Sequence, residues 1–180
     1  MKKIIRGTQI EPMTFEDING KKVNVPTLGR WTHLQFRRYS GCVICNLHVH
    51  ELIERQQEIK AAGIQEILFF QSPTQYLQEQ FSHKPVTIIA DDKRFYYKKF
   101  GVENSFNSIA NPNAWIPGIK GILKFGIQLP KKGESPLGLP ADFLLDDKGI
   151  VVAVHYGQHA YDQWSVDQLI QLVANEGIQQ

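Results

Sequence analysis

Cysteine is scarce in this sequence: two residues in 180, both within one four-residue window, as Cys42 and Cys45. A close pair with no other cysteine excludes the cross-linked framework of a small secreted domain. In a reducing compartment it points instead to catalysis or metal binding. Long apolar runs are missing as well. No stretch approaches the ~20 apolar residues that span a bilayer. The start, Met1-Lys2-Lys3-Ile4-Ile5-Arg6, begins like a secretion signal, but Arg6, Gly7 and Thr8 end its apolar run. The expectation is a cytoplasmic protein with no membrane partner. Charge of one sign is lacking too. The formal net charge is only +2, the lysines lie in scattered pairs, and no basic stripe interleaved with aromatics appears, so nucleic acid is not an expected partner. Internal repeats and domain-dividing linkers are absent. What remains is a chain 42% hydrophobic and 21% charged, long enough to bury one proper core.

The two cysteines sit where that core presents chemistry. Upstream, Trp31-Thr32-His33-Leu34-Gln35-Phe36-Arg37-Arg38-Tyr39 alternates apolar and polar residues with aromatic enrichment, the pattern of a strand. Downstream, Cys45, Val49, Leu52 and Ile59 recur at helical spacing with Ile53 beside them, until Gly63 ends the pattern. A strand, a Ser40-Gly41 turn and a helix place Cys42 at or near the helix N-terminus and Cys45 one turn further in. Unpaired backbone N–H groups and the positive end of the helix dipole favour a thiolate there over a thiol. Cysteines so sited have pKa values lowered from about 8.5 toward roughly 3.5–7.5. The spacing brings the second sulfur onto the same face, where it can close a disulfide on the first. Cys42 is expected to be the more exposed and to attack, and Cys45, on the apolar seam, to resolve.

The other elements follow from similar signals. Residues 15–18 and 21–25 read as a hairpin across an Asn19-Gly20 type I′ turn. Strands at 64–70 and 86–90 alternate with helices at 73–82 and 93–100, which points to parallel strands joined by helical crossovers. Ligands gather at the C-terminal ends of such strands, which is where the cysteines lie. The stretch 104–138 breaks the pattern. Asn111-Pro112 is a helix start signal, Trp115, Ile116, Ile119, Ile122, Leu123 and Phe125 make an apolar face, and Pro117 is expected to weaken or kink the helix. Such a face ordinarily covers a sheet; a lid, substrate wall or dimer contact is the functional alternative. Pro140 introduces a second hairpin, 141–145 and 150–156, turning at Asp146-Asp147-Lys148-Gly149. Ser165 and Gln168 form a capping box for the last helix, with Trp164 stapled on Leu169.

The segments Arg38-Tyr39-Ser40-Gly41-Cys42-Val43-Ile44-Cys45-Asn46-Leu47-His48, Leu137-Gly138-Leu139-Pro140-Ala141-Asp142-Phe143-Leu144 and 155–167, in this order, resemble the peroxiredoxin-like proteins of the AhpC/TSA superfamily. The resemblance covers roughly residues 15–173. It implies a thioredoxin-like α/β fold: a central mixed sheet flanked by helices, an N-terminal β-hairpin, and an inserted helical segment before the last β-hairpin. In domain terms it implies an N-terminal extension at 1–14 and one domain at 15–180, with the insertion at about 104–138. It further implies that Pro140 matches the cis-proline beside the active-site cysteines, so that Leu139–Pro140 would be cis. The activity implied is reduction of peroxides or disulfides through a Cys42–Cys45 dithiol, with thioredoxin or glutathione as reductant and no bound cofactor. A homodimer is left open. The sequence departs from the peroxiredoxin Pro-x-x-x-Thr/Ser-x-x-Cys pattern in either register, and no arginine follows Arg94 to hold a peroxide. Arg37 or Arg38 at the end of the feeding strand could supply the charge, Arg38 as a stabiliser of thiolate or peroxide. Disulfide exchange without peroxidase activity therefore stands as the alternative.

Two other classes of reading remain. Cys42, Cys45, His48 and His50 could be four zinc ligands, but at 100° per residue the two histidines point about 200° apart, and a tetrahedral structural site needs four. His48 shares the face of Cys45 and could exchange a proton with the thiols. His155, Tyr156, His159 and Trp164 gather near the last strand end. A partner-binding module would keep the fold and show no thiol reactivity.

Overall fold

The computed structural model describes residues 2–103, 115–126 and 129–177. At its centre lies the expected strand, β3 (Trp31–Phe36), in a five-stranded sheet ordered β5-β4-β3-β6-β7. β3 runs parallel to β4 (Ile64–Phe70), and β4 parallel to β5 (Ile88–Ala90). β6 (Ala141–Leu145) is antiparallel to β3, and β7 (Val151–Tyr156) antiparallel to β6. The run Ile67-Leu68-Phe69-Phe70 has no exposed member, because a parallel central strand is covered on both faces.

Strand periodicity divides the core in two. Leu34 and Phe36 enter one apolar cluster with Phe69, Tyr97, Phe100 and Phe143. On the opposite face α1 (Val43–Glu54), α3 (Thr74–Phe81) and α6 (Val166–Gly177) cover a second cluster that contains both cysteines. Burying each such Leu or Phe contributes about 1.5–3 kcal/mol. The first face is closed by the hairpin β1 (Met13–Glu16) and β2 (Lys22–Val25) and by α4 (Phe95–Lys99). Before β1, Thr8 and Ile10 bond to Val151 and Gly149 at the edge of β7. No helix among the described residues is long and apolar enough to cross a membrane.

Three expectations are corrected. The first hairpin does not turn on a type I′ Asn19-Gly20 pair. Only Gly20 has positive φ (+81°), and its N–H closes a turn on the Asp17 carbonyl at 2.9 Å; type I′ needs two such residues. The cause lies in Ile18, which is buried in the cysteine-side core and donates its N–H to Ile88 at 2.9 Å, so it leaves the strand. Second, the helix after Cys42 is interrupted at Arg55 and resumes as α2 (Gln56–Ala61), with the Arg55 guanidinium held by Glu58 and by Asp167 of α6. Third, Leu139–Pro140 is not cis; the cis X-Pro bond among the described residues is Val25–Pro26. The Leu139 N–H is satisfied by Glu103 and the Pro140 carbonyl by Gly157 as the chain straightens into β6, and an extended entry keeps the default trans isomer.

Candidate dithiol site

β3 ends at Phe36, but its parallel pairing continues: Arg37 N–H donates to Phe69 at 2.8 Å, and Gln71 N–H to Arg38 at 2.9 Å. The chain then leaves the sheet through Ser40-Gly41. Cys42 has the extended backbone of an N-cap, and its Sγ accepts the Cys45 N–H at 3.3 Å. The Cys42 carbonyl already accepts the Asn46 N–H at 2.9 Å, and the Asn46 side chain returns a bond to the Ser40 carbonyl at 3.2 Å. A sulfur thus stands where Ser or Asp usually caps a helix, facing donors that bind a thiolate better than a thiol.

Both thiols are buried, Cys42 at 2% exposure and Cys45 at 1%, so exposure does not rank them. Electrostatics does. Burial pushes the Cys42 thiol up, but the Cys45 thiol donating to it, the Arg38 guanidinium, and the N–H groups of Cys45 and Ile44 outweigh burial and bring it below its ordinary value. For Cys45 burial and the bond to Cys42 act together and push it well above. The neighbouring Tyr39 hydroxyl is pushed up to about 12, first by burial and then by the Cys42 charge.

Arg38 is a buried residue beside the sulfurs, 5.6 Å from the Tyr39 ring, rather than a surface ion-pair partner. Its guanidinium donates to the Pro136 carbonyl, and Glu134 binds the loop before Cys42. One Glu134 oxygen accepts Ser40 N–H at 3.1 Å, Ser40 Oγ–H at 2.6 Å and Ser72 Oγ–H at 2.5 Å; the other takes Lys131 N–H at 2.8 Å. The residues from Lys131 to Gly138 are therefore a strap across the dithiol loop. Beneath it, the Arg38 Nε and both amide atoms of buried Gln71 have no hydrogen-bond partner among the described residues. Glu134 was not legible in the sequence, since the serines it binds, Ser40 and Ser72, lie 94 and 62 residues away.

Arg37 faces the other way. Fully buried, it donates to Asp142 Oδ1 at 2.8 Å, and the same oxygen lies 3.2 Å from His33 Nε2, while His33 Nδ1 is 2.9 Å from Glu66. With both ring nitrogens on carboxylates, His33 is raised to about 9 by Glu66 and Asp142 although burial opposes it. Burial opposes ionisation of Asp142, but the charges of Arg37 and His33 and their hydrogen bonds outweigh it and hold the carboxyl well below the usual carboxylate range. Register makes this network: Gln35 lies opposite Asp142, and His33 opposite Glu66.

The remaining candidates disperse. His48 Nε2 lies 3.2 Å from Gln35 in the same buried network, and His50 pairs with Glu54 at 3.0 Å. His155 pairs with Asp162 at 2.7 Å. Among the described residues no cluster of three or more His, Cys, Asp or Glu is placed to hold a metal. Pro140 packs on Gly157 and lines a hollow with Lys3, Val102 and Tyr156. The Asn111-Pro112 start signal lies outside the described residues. The helix that follows, α5 (Trp115–Phe125), crosses α1 with Gly121 directly on Val43 and Gly118 near Ile44. It runs through Pro117 and sits over the start of the cysteine helix, not on the sheet.

A central parallel strand that delivers Cys-x-x-Cys to the next helix, in a mixed sheet closed by a β-hairpin and a helix, defines a thioredoxin-like fold, here with a buried dithiol. Solved structures of that fold bear this out. Peroxiredoxin 6 of Arenicola marina superposes with a TM-score of 0.69 at 13% identity, over 98% of this chain and 74% of its own. A thiol:disulfide interchange protein DsbE of Chlorobium tepidum gives 0.61 at 18% identity over 94% and 99%. A peroxiredoxin-like protein of Aquifex aeolicus gives 0.62 at 14% identity over 97% and 89%. No protein-family model and no curated protein matches the chain.

Proposed function

We propose that the chain is a thiol-based oxidoreductase of the peroxiredoxin-like kind, in which Cys42 attacks and Cys45 resolves. The observation that carries this reading is the capping bond: Cys42 Sγ accepts the Cys45 N–H at the helix start, under the charge of Arg38. The Cys42 thiolate gives an electron pair to the terminal oxygen of a hydroperoxide; the O–O bond breaks, the leaving alkoxide takes a proton from solvent and departs as the alcohol, and a sulfenic acid remains. Cys45 then loses its proton and attacks that sulfur. Hydroxide departs as water and the Cys42–Cys45 disulfide is formed. Two further thiols, from a thioredoxin or glutathione in a reducing compartment such as the cytoplasm, return the dithiol. Arg38 is the group that steadies the thiolate and the departing oxygen.

Burial favours a small substrate. A protein disulfide reaches Cys42 only if α5 or the strap from Lys131 to Gly138 moves aside, whereas a hydroperoxide needs a far narrower path. The exchange reading is supported by the missing later arginine and by the glycine contacts through which α5 rests on α1. Thiol loss in reduced protein after addition of hydrogen peroxide, an alkyl hydroperoxide or insulin separates the two. Rapid loss with peroxide supports the first reading, insulin reduction alone the second, and inert thiols overturn both.

A further inference from the structure

The helix that rests on the start of the cysteine helix is built inside out. α5 turns its glycines inward, with Gly121 against Val43, and its large apolar side chains outward. Trp115, Ile116, Ile119, Ile122 and Leu123 are all exposed, Leu123 at 82%. At 100° per residue those five occupy an arc of about 120°, and Lys120 and Lys124 flank it on one side. A monomer in water gains nothing from such a face, and contiguous apolar patches of this kind mark an interaction surface.

The charge pattern selects the occupant. From Trp115 to Phe125 the helix has two lysines and no acidic residue. A second copy of the same helix would bring only like charges to the edge of the contact, which disfavours pairing. An anionic lipid surface accepts the apolar arc and both lysines at once, and Trp at one end with Lys along the border is the make-up of helices that lie in the headgroup region. We propose that α5 docks this protein on anionic phospholipid bilayers, lying in the interface without crossing it. This inference does not depend on the chemistry of the dithiol.

The test is cosedimentation of the whole protein with phosphatidylcholine vesicles, with and without phosphatidylglycerol. The expected result is binding that requires phosphatidylglycerol and weakens with salt, is lost in Ile119→Glu/Leu123→Glu, and falls roughly 30-fold in Lys120→Gln/Lys124→Gln, from about 1 kcal/mol per lysine near an anionic surface. These side chains are exposed, so the variants should keep the wild-type circular dichroism spectrum. Three outcomes overturn the proposal: no binding at any phosphatidylglycerol content; equal binding by the double glutamate variant; or a wild-type dimer in sedimentation equilibrium that Leu123→Glu dissociates, with no vesicle binding.

Discussion

Glu134 and Ser40 meet 94 residues apart in sequence, one carboxylate oxygen accepting both the backbone N–H and the hydroxyl of the serine two positions before Cys42. This contact ties the segment before β6 to the loop that aims the dithiol. Removing it in Glu134→Ala should destabilise the protein by about 1–2 kcal/mol, the worth of hydrogen bonds to a charged group discounted for partial exposure. Urea denaturation measures it. Burial opposes ionisation of Glu134, but the Ser40 and Ser72 bonds outweigh it and depress its pKa. A depressed carboxylate stabilises above its unfolded pKa, near 4.3, and the contribution is lost as pH falls through the folded value. The difference between wild type and variant should therefore shrink in acid.

Asp142→Asn should cost about 3–5 kcal/mol, because it leaves Arg37 buried without a counter-charge. His33 carries the opposite linkage. Its pKa is raised from 6.5 to about 9, so its contribution is complete below pH 6.5 and is lost as pH rises through about 9. Denaturation midpoints should fall over that window in the wild type, and the fall should be blunted in His33→Gln. Equal slopes in the two proteins would sink the assignment of charge to His33.

Packing and helix propensity compete at Gly121. Alanine there would gain about 1 kcal/mol of helix propensity, but its Cβ would stand 2.9 Å from Val43 Cβ and from the Val43 carbonyl oxygen. Overpacking of this kind costs about 1–3 kcal/mol, so the substitution should be neutral to destabilising by up to about 2 kcal/mol. It should also lift α5 and speed the reaction of Cys42 with an aromatic disulfide reagent. A stabilised protein with slower thiol reaction would show that α5 is not a tight cover.

Arg38→Met should move the pH midpoint of Cys42 alkylation upward, since Arg38 is among the groups that lower that thiol. The wild-type midpoint should lie below the ordinary thiol value of about 8.5. Alkylation rates across pH, with Cys45 replaced by serine as a control for the shared proton, measure the effect.

Much of the fold was legible because its signals are local. Alternation in Trp31–Phe36, the apolar run of Ile64–Phe70, and the capping box in which Ser165 and Gln168 exchange bonds of 2.9 and 3.2 Å all need only near neighbours. The Cys42 cap followed from strand, turn and helix in succession. What escaped depends on distant partners. Ile18 leaves its strand for Ile88, Arg37 finds Asp142 across β6, and Glu134 reaches back to Ser40. The periodicity of α5 was readable, but which face meets the protein was not, because two glycines, invisible to an apolar pattern, make the contact.

The most direct measurement is mass spectrometry of the reduced protein after one equivalent of hydroperoxide, in the presence of a sulfenic-acid trap, for wild type, Cys42→Ser and Cys45→Ser. The expected result is an intramolecular disulfide in wild type, a trapped oxygen adduct on Cys42 in Cys45→Ser, and no modification in Cys42→Ser. An adduct on Cys45 at undiminished rate when Cys42 is replaced would contradict it.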